Sequence, residues 1–376
     1  MSKQHLVRRE HYQGILDKNT ALLKKGAAKN IALLGARKSG KTQIVKEHLK
    51  NAKDVVPVYI DLRKTSLNPE NFSIEFIGNI IFHFLERPLK DYNEYMSLEG
   101  LLKIKNEISQ AAFFHIKAIQ DELLKIKPDQ NLLVRSAFAF SEHWAREVNK
   151  KFLIVLDNIE NLFELNNFSQ IKDILELVNL ESKDVSYIAT SSTIKESALK
   201  LKKFERFEIK NLEKKEALEL IEKTIGSKDS SEEIFNLSNG HPLVTLIISK
   251  KFIETKDARR AFFIELLQKN NPLYHHCEDS FNYYYNRARG QTLLKSILKI
   301  VANEELRLSE IARKVYRSAP VAKSILERLM DVDVIHKKDS KFYFSDPVLK
   351  LWVKLASKGY EFDEIDEKLL EEAMKQ

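Results

Sequence analysis

Eight consecutive residues, Gly35-Ala36-Arg37-Lys38-Ser39-Gly40-Lys41-Thr42, have the spacing G-x-x-x-x-G-K-[ST] of a loop that cradles phosphate. Gly35 and Gly40 allow the backbone to fold tightly and approach a phosphate with no Cβ in the way. The loop amides and the positive end of a following helix then face the phosphate oxygens. Lys41 brings a point charge to the β- and γ-phosphates, and Thr42 a hydroxyl for Mg²⁺. The nucleotide-contacting run expected from this motif is Gly35 to Thr42 with Gln43 at its end.

A second constellation lies downstream. Phe152 to Asp157, FLIVLD, is apolar until its carboxylate, and an acid there serves the metal together with Thr42. Many ATPases place Glu directly after this Asp to orient water, but here the residue is Asn158. Glu160, three residues beyond Asp157, either takes that role or is a surface residue, and hydrolysis is expected to be slow. Ser191, after the run VSYIAT, either senses the γ-phosphate or caps the next helix. Arg206, read as lying just before a short strand at 207–209, either reaches a neighbour's γ-phosphate in an oligomer or is a surface arginine. His241, between Gly240 and Pro242, either bonds a phosphate or is structural.

These residues need elements to hold them. Ile31 to Leu34 reads as a buried parallel strand and the residues after Thr42 as an amphipathic helix. Further strands are expected at Val55–Asp61, Phe152–Asp157, Val185–Thr190 and Phe207–Ile209, with Pro57 near a strand start or at a sheet edge. Residues 90–150 are helical in pattern, with aromatic residues such as Phe140 and Trp144 serving as core. From Leu212 onward the pattern is helical. Leu293–Val301, Leu308–Val315 and a helix from Ser318 then lead to two short strands at 332–337 and 341–345. Three helices followed by a two-stranded wing is the winged helix-turn-helix order.

Composition narrows the class. The 376 residues are 43% hydrophobic, enough for sizeable cores, and hold no apolar run near the ~20 residues that cross a bilayer. No secretory pattern opens the chain, and one cysteine, Cys277, forms no intramolecular disulfide, so a cytoplasmic protein is expected. The net charge is +8. Residues 281–360 hold 16 Lys+Arg against 8 Asp+Glu, whereas 361–376 hold 7 Asp+Glu against 2 Lys. A basic winged helix favours double-stranded DNA, gripped mostly through phosphates. The expected contacts are Arg313, Lys314, Arg317, Lys323 and Arg328 on the helices, with Lys337, Lys338 and Lys341 on the wing.

Together, Arg9-Glu10, GARKSGKT, FLIVLD, IATSS, FEIKNLEKKEALELI, GHPL and SDPVLKLW resemble the archaeal-type ATPases. These belong to the signal-transducing branch of the AAA+-related P-loop proteins and are similar to archaeal replication initiators. The resemblance spans nearly the whole chain. It implies an α/β P-loop core with a five-stranded parallel sheet, a helical lid and a winged helix. The corresponding segments are 1–211, 212–280 and 281–360, with an acidic tail at 361–376. It also implies ATP rather than GTP, and a nucleotide-controlled switch in which Gly240 and Pro242 link lid to nucleotide. Two alternatives stay open. One is a signalling ATPase, assembling with itself or a protein partner, whose winged helix binds protein or holds the ATPase closed. The other is a DNA-stimulated motor that uses Glu160 and Arg206.

Overall fold

The structure, a computed structural model, describes residues 7–171, 174–179, 181–289 and 292–376. Five strands form one parallel sheet: β1 (Ile31–Leu34), β2 (Val56–Asp61), β3 (Phe152–Asp157), β4 (Val185–Ser191) and β5 (Glu205–Glu208). Their order is β2-β3-β4-β1-β5. Parallel strands need crossovers that cover both faces, and the strand sequences show it: β1, β3 and β4 are buried at every position. Alternate residues feed opposite layers. Ala32, Leu34, Ile154 and Leu156 join Phe72, Phe76, Phe140 and Trp144 on one side. Ile31, Leu33, Leu153 and Val155 join Leu16, Leu23, Ile44 and Val45 on the other. The first side is covered by the helices Pro69–Phe84 and Gln130–Glu147, the second by Glu10–Lys24 and Lys41–Asn51. Pro57 falls in β2, an edge strand, where its missing N–H is tolerated.

β4 separates β1 from β3. The loops leaving β1, β3 and β4 therefore converge at the carboxyl edge of the sheet, where open α/β sheets bind ligands. The fifth strand starts earlier than the sequence suggested, so Arg206 lies inside it, paired with Ala32, because β1 offers a free edge from Ile31 onward.

Beyond Leu212, helices Lys214–Ile225, Ser231–Ser238, Pro242–Thr255 and Ala258–Leu267 lead into the long helix Pro272–Arg287. Helices Thr292–Asn303, Leu308–Lys314 and Ala319–Asp331 follow. Then comes an antiparallel ribbon of β6 (Ile335–Lys338) and β7 (Lys341–Phe344), and the helix Pro347–Ala356. Arg307 bridges to Lys341 beside the ribbon. Three helices and then a two-stranded antiparallel ribbon is the element order read from the sequence.

Helix Pro272–Arg287 spans residue 280, and one apolar cluster contains both Ile221 and Leu370. In the acidic end, Glu367–Met374 is a helix whose Leu370 and Ala373 are buried, fastened by Arg260 donating to Glu367 at 2.8 Å. Its negative charge lies on the outer face of an amphipathic helix. Among the described residues no helix is long and apolar enough to cross a membrane.

Candidate nucleotide site

The loop from Gly35 to Thr42 leaves β1 and enters the helix Lys41–Asn51. Gly40 stands at φ +99°, a conformation L side chains avoid, and turns the chain into that helix. The Lys41 ammonium is buried and donates to the carbonyls of Gly35 and Ala36, each at 2.7 Å. Burial pulls its pKa down to about 8, against the opposing pull of Glu160 and Asp157. A buried cation held only by neutral carbonyls suits an anionic partner. The Ser39 hydroxyl beside it is buried without a partner.

Asp157 ends β3 fully buried. Thr42 Oγ1 donates to its Oδ2 at 2.9 Å, and Tyr59 OH to the same oxygen at 2.6 Å. Thr190 Oγ1 makes a short bond to Oδ1. The Asp157–Thr42 pair expected from the sequence is thus assembled. Tyr59 and Thr190 were missed. Their signal was positional, since each ends or nearly ends a strand next to β3, but it needs the strand order to be read. Carboxylate and hydroxyl oxygens are the hard donors that Mg²⁺ takes, so the set fits that ion.

Glu160 is buried, not a surface residue. Its Oε1 accepts from the Ser192 amide and from Tyr283 OH, both at 3.1 Å, while Oε2 has no partner. Tyr283 belongs to helix Pro272–Arg287, and the Arg37 guanidinium lies 4.3 Å over its ring. From the same helix, Arg287 donates to the Glu160 carbonyl at 3.2 Å and to the Glu196 carboxylate at 2.7 Å. Asp333 accepts from the Lys195 amide at 3.0 Å. A cleft of about 900 Å³ opens beside Tyr283 and Arg287. A polar seam next to open space is the make-up of an interface that can part.

The lid reaches the loop too. Val244 N–H donates to His241 Nδ1, so Nε2 carries the hydrogen and donates to the Arg37 carbonyl at 2.9 Å. Burial lowers the His241 pKa, which keeps this neutral form. Gly240 stands at φ +67°, its carbonyl accepting from Leu212 N–H at 2.8 Å, and Pro242 starts the next helix. The structure thus gathers Gly240, His241 and Pro242 at the loop, with His241 bonded to protein.

Other residues fall elsewhere. The Ser191 hydroxyl is enclosed by Thr193 and Ser197, accepting from the Thr193 amide at 3.1 Å and from the Ser197 hydroxyl at 2.7 Å. Arg206 is exposed and donates to the Ala198 carbonyl. Arg313, Lys314, Arg317, Lys323, Lys337 and Lys338 are exposed, and Lys314 pairs with Glu304. Arg328 turns inward and donates to the Arg289 carbonyl at 3.2 Å, at the end of the same long helix.

No family model matches the chain, and no curated protein matches it in sequence. Solved structures are similar. The Walker-type ATPase PABY2304 of Pyrococcus abyssi is 16% identical, with 93% of this chain and 96% of that one covered and a TM-score of 0.65. The Aeropyrum pernix Orc1 protein in complex with DNA is 12% identical, over 98% and 92% of the two chains, with a TM-score of 0.44. The Thermotoga maritima RuvB Holliday junction branch migration motor is 11% identical, over 90% and 92%, with a TM-score of 0.41. The first likeness shows a shared fold, a P-loop ATPase core with a helical carboxyl-terminal region. At their scores the other two establish no relationship.

Proposed function

We propose that the chain binds Mg·ATP at the loop Gly35–Thr42, hydrolyses it slowly, and uses the nucleotide state to set the placement of its carboxyl-terminal body. That body is a basic winged helix that engages double-stranded DNA. The observation that carries this reading is that lid and long helix touch the phosphate loop itself: His241 bonds the Arg37 carbonyl and Tyr283 stacks under the Arg37 guanidinium. Anything that rearranges the loop is felt by both. Thr42 and Asp157 would hold the metal, which neutralises charge on the transferred phosphoryl group. Lys41 exchanges its carbonyl partners for phosphate oxygens. Asp157 is held by Tyr59 and Thr190 and does not swing away.

Fluorescence anisotropy with labelled duplex DNA, across salt concentrations, in ADP and in a non-hydrolysable ATP analogue, tests the reading. Binding that weakens steeply with salt and differs between nucleotides supports it. Lys41→Ala is expected to abolish ATP binding, and unchanged affinity and turnover in that variant refute the site.

One observation favours a second reading, a regulatory ATPase whose winged helix restrains it or binds protein. Tyr283 and Arg287 clasp Glu160, and Arg328 spends its guanidinium on the carbonyls of Ala288 and Arg289 beside the same cleft. No DNA binding in either nucleotide at low salt, with nucleotide-dependent self-association, would favour this reading.

A further inference from the structure

The residue after the metal-binding acid is Asn158, and an amide takes no proton from water. Its surroundings point to another task. Asn158 lies in the left-handed region at φ +63°, turning the chain sharply off β3. Its N–H donates to Thr190 Oγ1 at 3.0 Å, which fixes the backbone. Its side chain crosses to β2, where Nδ2 donates to Asp61 Oδ1 at 3.1 Å. Asp61 is the last residue of β2 and stands in register with Asp157. Two carboxylates thus end neighbouring strands, whose backbones lie about 4.8 Å apart across the sheet, at its carboxyl edge.

The Asp61 side chain is only 10% exposed. Its Oδ1 accepts from Asn158, from the Arg63 amide at 3.2 Å and from Arg63 Nε at 3.1 Å. Its Oδ2 accepts only from Arg63 Nη2, at 3.0 Å, and keeps a lone pair. Glu160, the other carboxylate nearby, spends Oε1 on Ser192 and Tyr283, which ties it to helix Pro272–Arg287, and leaves Oε2 without a partner.

We propose that Asp61 is the catalytic carboxylate that orients the attacking water, one strand away from the position after Asp157, with Asn158 as its positioning residue. This rests on the reading that the site hydrolyses ATP. In the step, the water oxygen bonds to the γ-phosphorus while the bond from that phosphorus to the β,γ-bridging oxygen breaks. The electron pair leaves with ADP, and the water's proton passes to Asp61 Oδ2 and then to the released phosphate. Burial alone would raise the Asp61 pKa, but the bonds from the Arg63 side chain and backbone outweigh it and hold it below the usual carboxylate range. A weakened base orients water better than it deprotonates it, which accounts for slow turnover.

The test uses the full chain with Mg·ATP, reading phosphate release and ATP affinity for wild type, Asp61→Asn, Glu160→Gln and the double exchange Asp61→Asn with Asn158→Asp. Asp61→Asn is expected to lower kcat by about 10²-fold with ATP affinity within about twofold of wild type. The double exchange keeps an amide–carboxylate pair in the same place with its ends reversed, and is expected to recover most of the loss. Glu160→Gln is expected to lower kcat less than Asp61→Asn. Turnover of Asp61→Asn near wild type, a loss the exchange does not recover, or a larger loss in Glu160→Gln each overturn the proposal while leaving hydrolysis standing. A wild type that binds ATP but releases no phosphate overturns the proposal and the hydrolysis reading together.

Discussion

Replacing Tyr283 with Phe removes one hydroxyl and keeps the ring that lies under Arg37. The hydroxyl donates to the buried Glu160 carboxylate at 3.1 Å, so the bond is charge-assisted. Such bonds contribute about 1.5–3 kcal/mol when made, and leaving the carboxylate short of a donor adds a desolvation penalty. Glu160 already has one unpaired oxygen and would keep only the Ser192 amide. If the seam parts as a unit, the closed arrangement loses about 1.5–3 kcal/mol, and the ratio of open to closed rises roughly 10- to 150-fold. The assay is amide hydrogen exchange across residues 272–287 and 158–162, with phosphate release and DNA anisotropy on the same preparations. Faster exchange in both segments together, with altered turnover or DNA affinity, is expected. A lower melting temperature with neither segment exposed and both activities unchanged would refute the reasoning, because the bond would then serve stability alone.

Three further outcomes follow from the geometry. Gly240→Ala puts a Cβ 2.5 Å from the Leu212 carbonyl oxygen at a φ of +67°, so it is expected to destabilise by about 1–3 kcal/mol and to weaken the nucleotide dependence of DNA binding, read by calorimetry and anisotropy. Lys41 titrates near pH 8 in the folded chain, so ATP affinity is expected to fall as pH rises through about 8, measured by titration calorimetry between pH 7 and 9.5. The stability term runs the other way: an unfolded lysine keeps its proton to higher pH, so between about 8 and 10.5 the unfolded state binds more protons and this group's contribution to stability rises with pH. Lys337→Ala with Lys338→Ala removes two exposed cations from the ribbon and is expected to reduce the slope of log affinity against log salt by up to roughly 0.9 per lost phosphate contact, with little effect on ATP turnover.

The strands and the phosphate loop were legible because an apolar run, a glycine-rich turn and an acid each carry a local signature. The order of the strands was not. Nothing in FLIVLD or VVPVYID says that Asp61 and Asp157 end side by side, or that Tyr59 reaches across to the Asp157 carboxylate. Glu160 illustrates the same gap: its sequence neighbourhood admits a surface residue, and only the fold brings Tyr283, 123 positions away, onto it. Arg328 was grouped with the DNA-facing cations by its place near a helix end. Yet its side of that helix faces the carbonyls of Ala288 and Arg289. Ser191 was evenly balanced in sequence, and only the fold shows that its hydroxyl accepts from Ser197 in the helix that follows.

These long-range contacts also limit how the proposed switch can work. A ligand moves an equilibrium only through contacts that differ between the two states. The carbonyls of Gly35 and Ala36 and the charge of Glu160 are what Lys41 now answers to. Phosphate drawing Lys41 onto itself would weaken the compensation of a buried carboxylate that has one oxygen unpaired. The Glu160–Tyr283 bond and the Arg37–Tyr283 stack share one aromatic ring, so both respond to the same displacement of helix Pro272–Arg287. One apolar cluster holds Tyr284 of that helix together with Leu326 and Phe342. In the proposed switch, displacement of that helix would be felt both at the phosphate loop and in the apolar cluster under the ribbon.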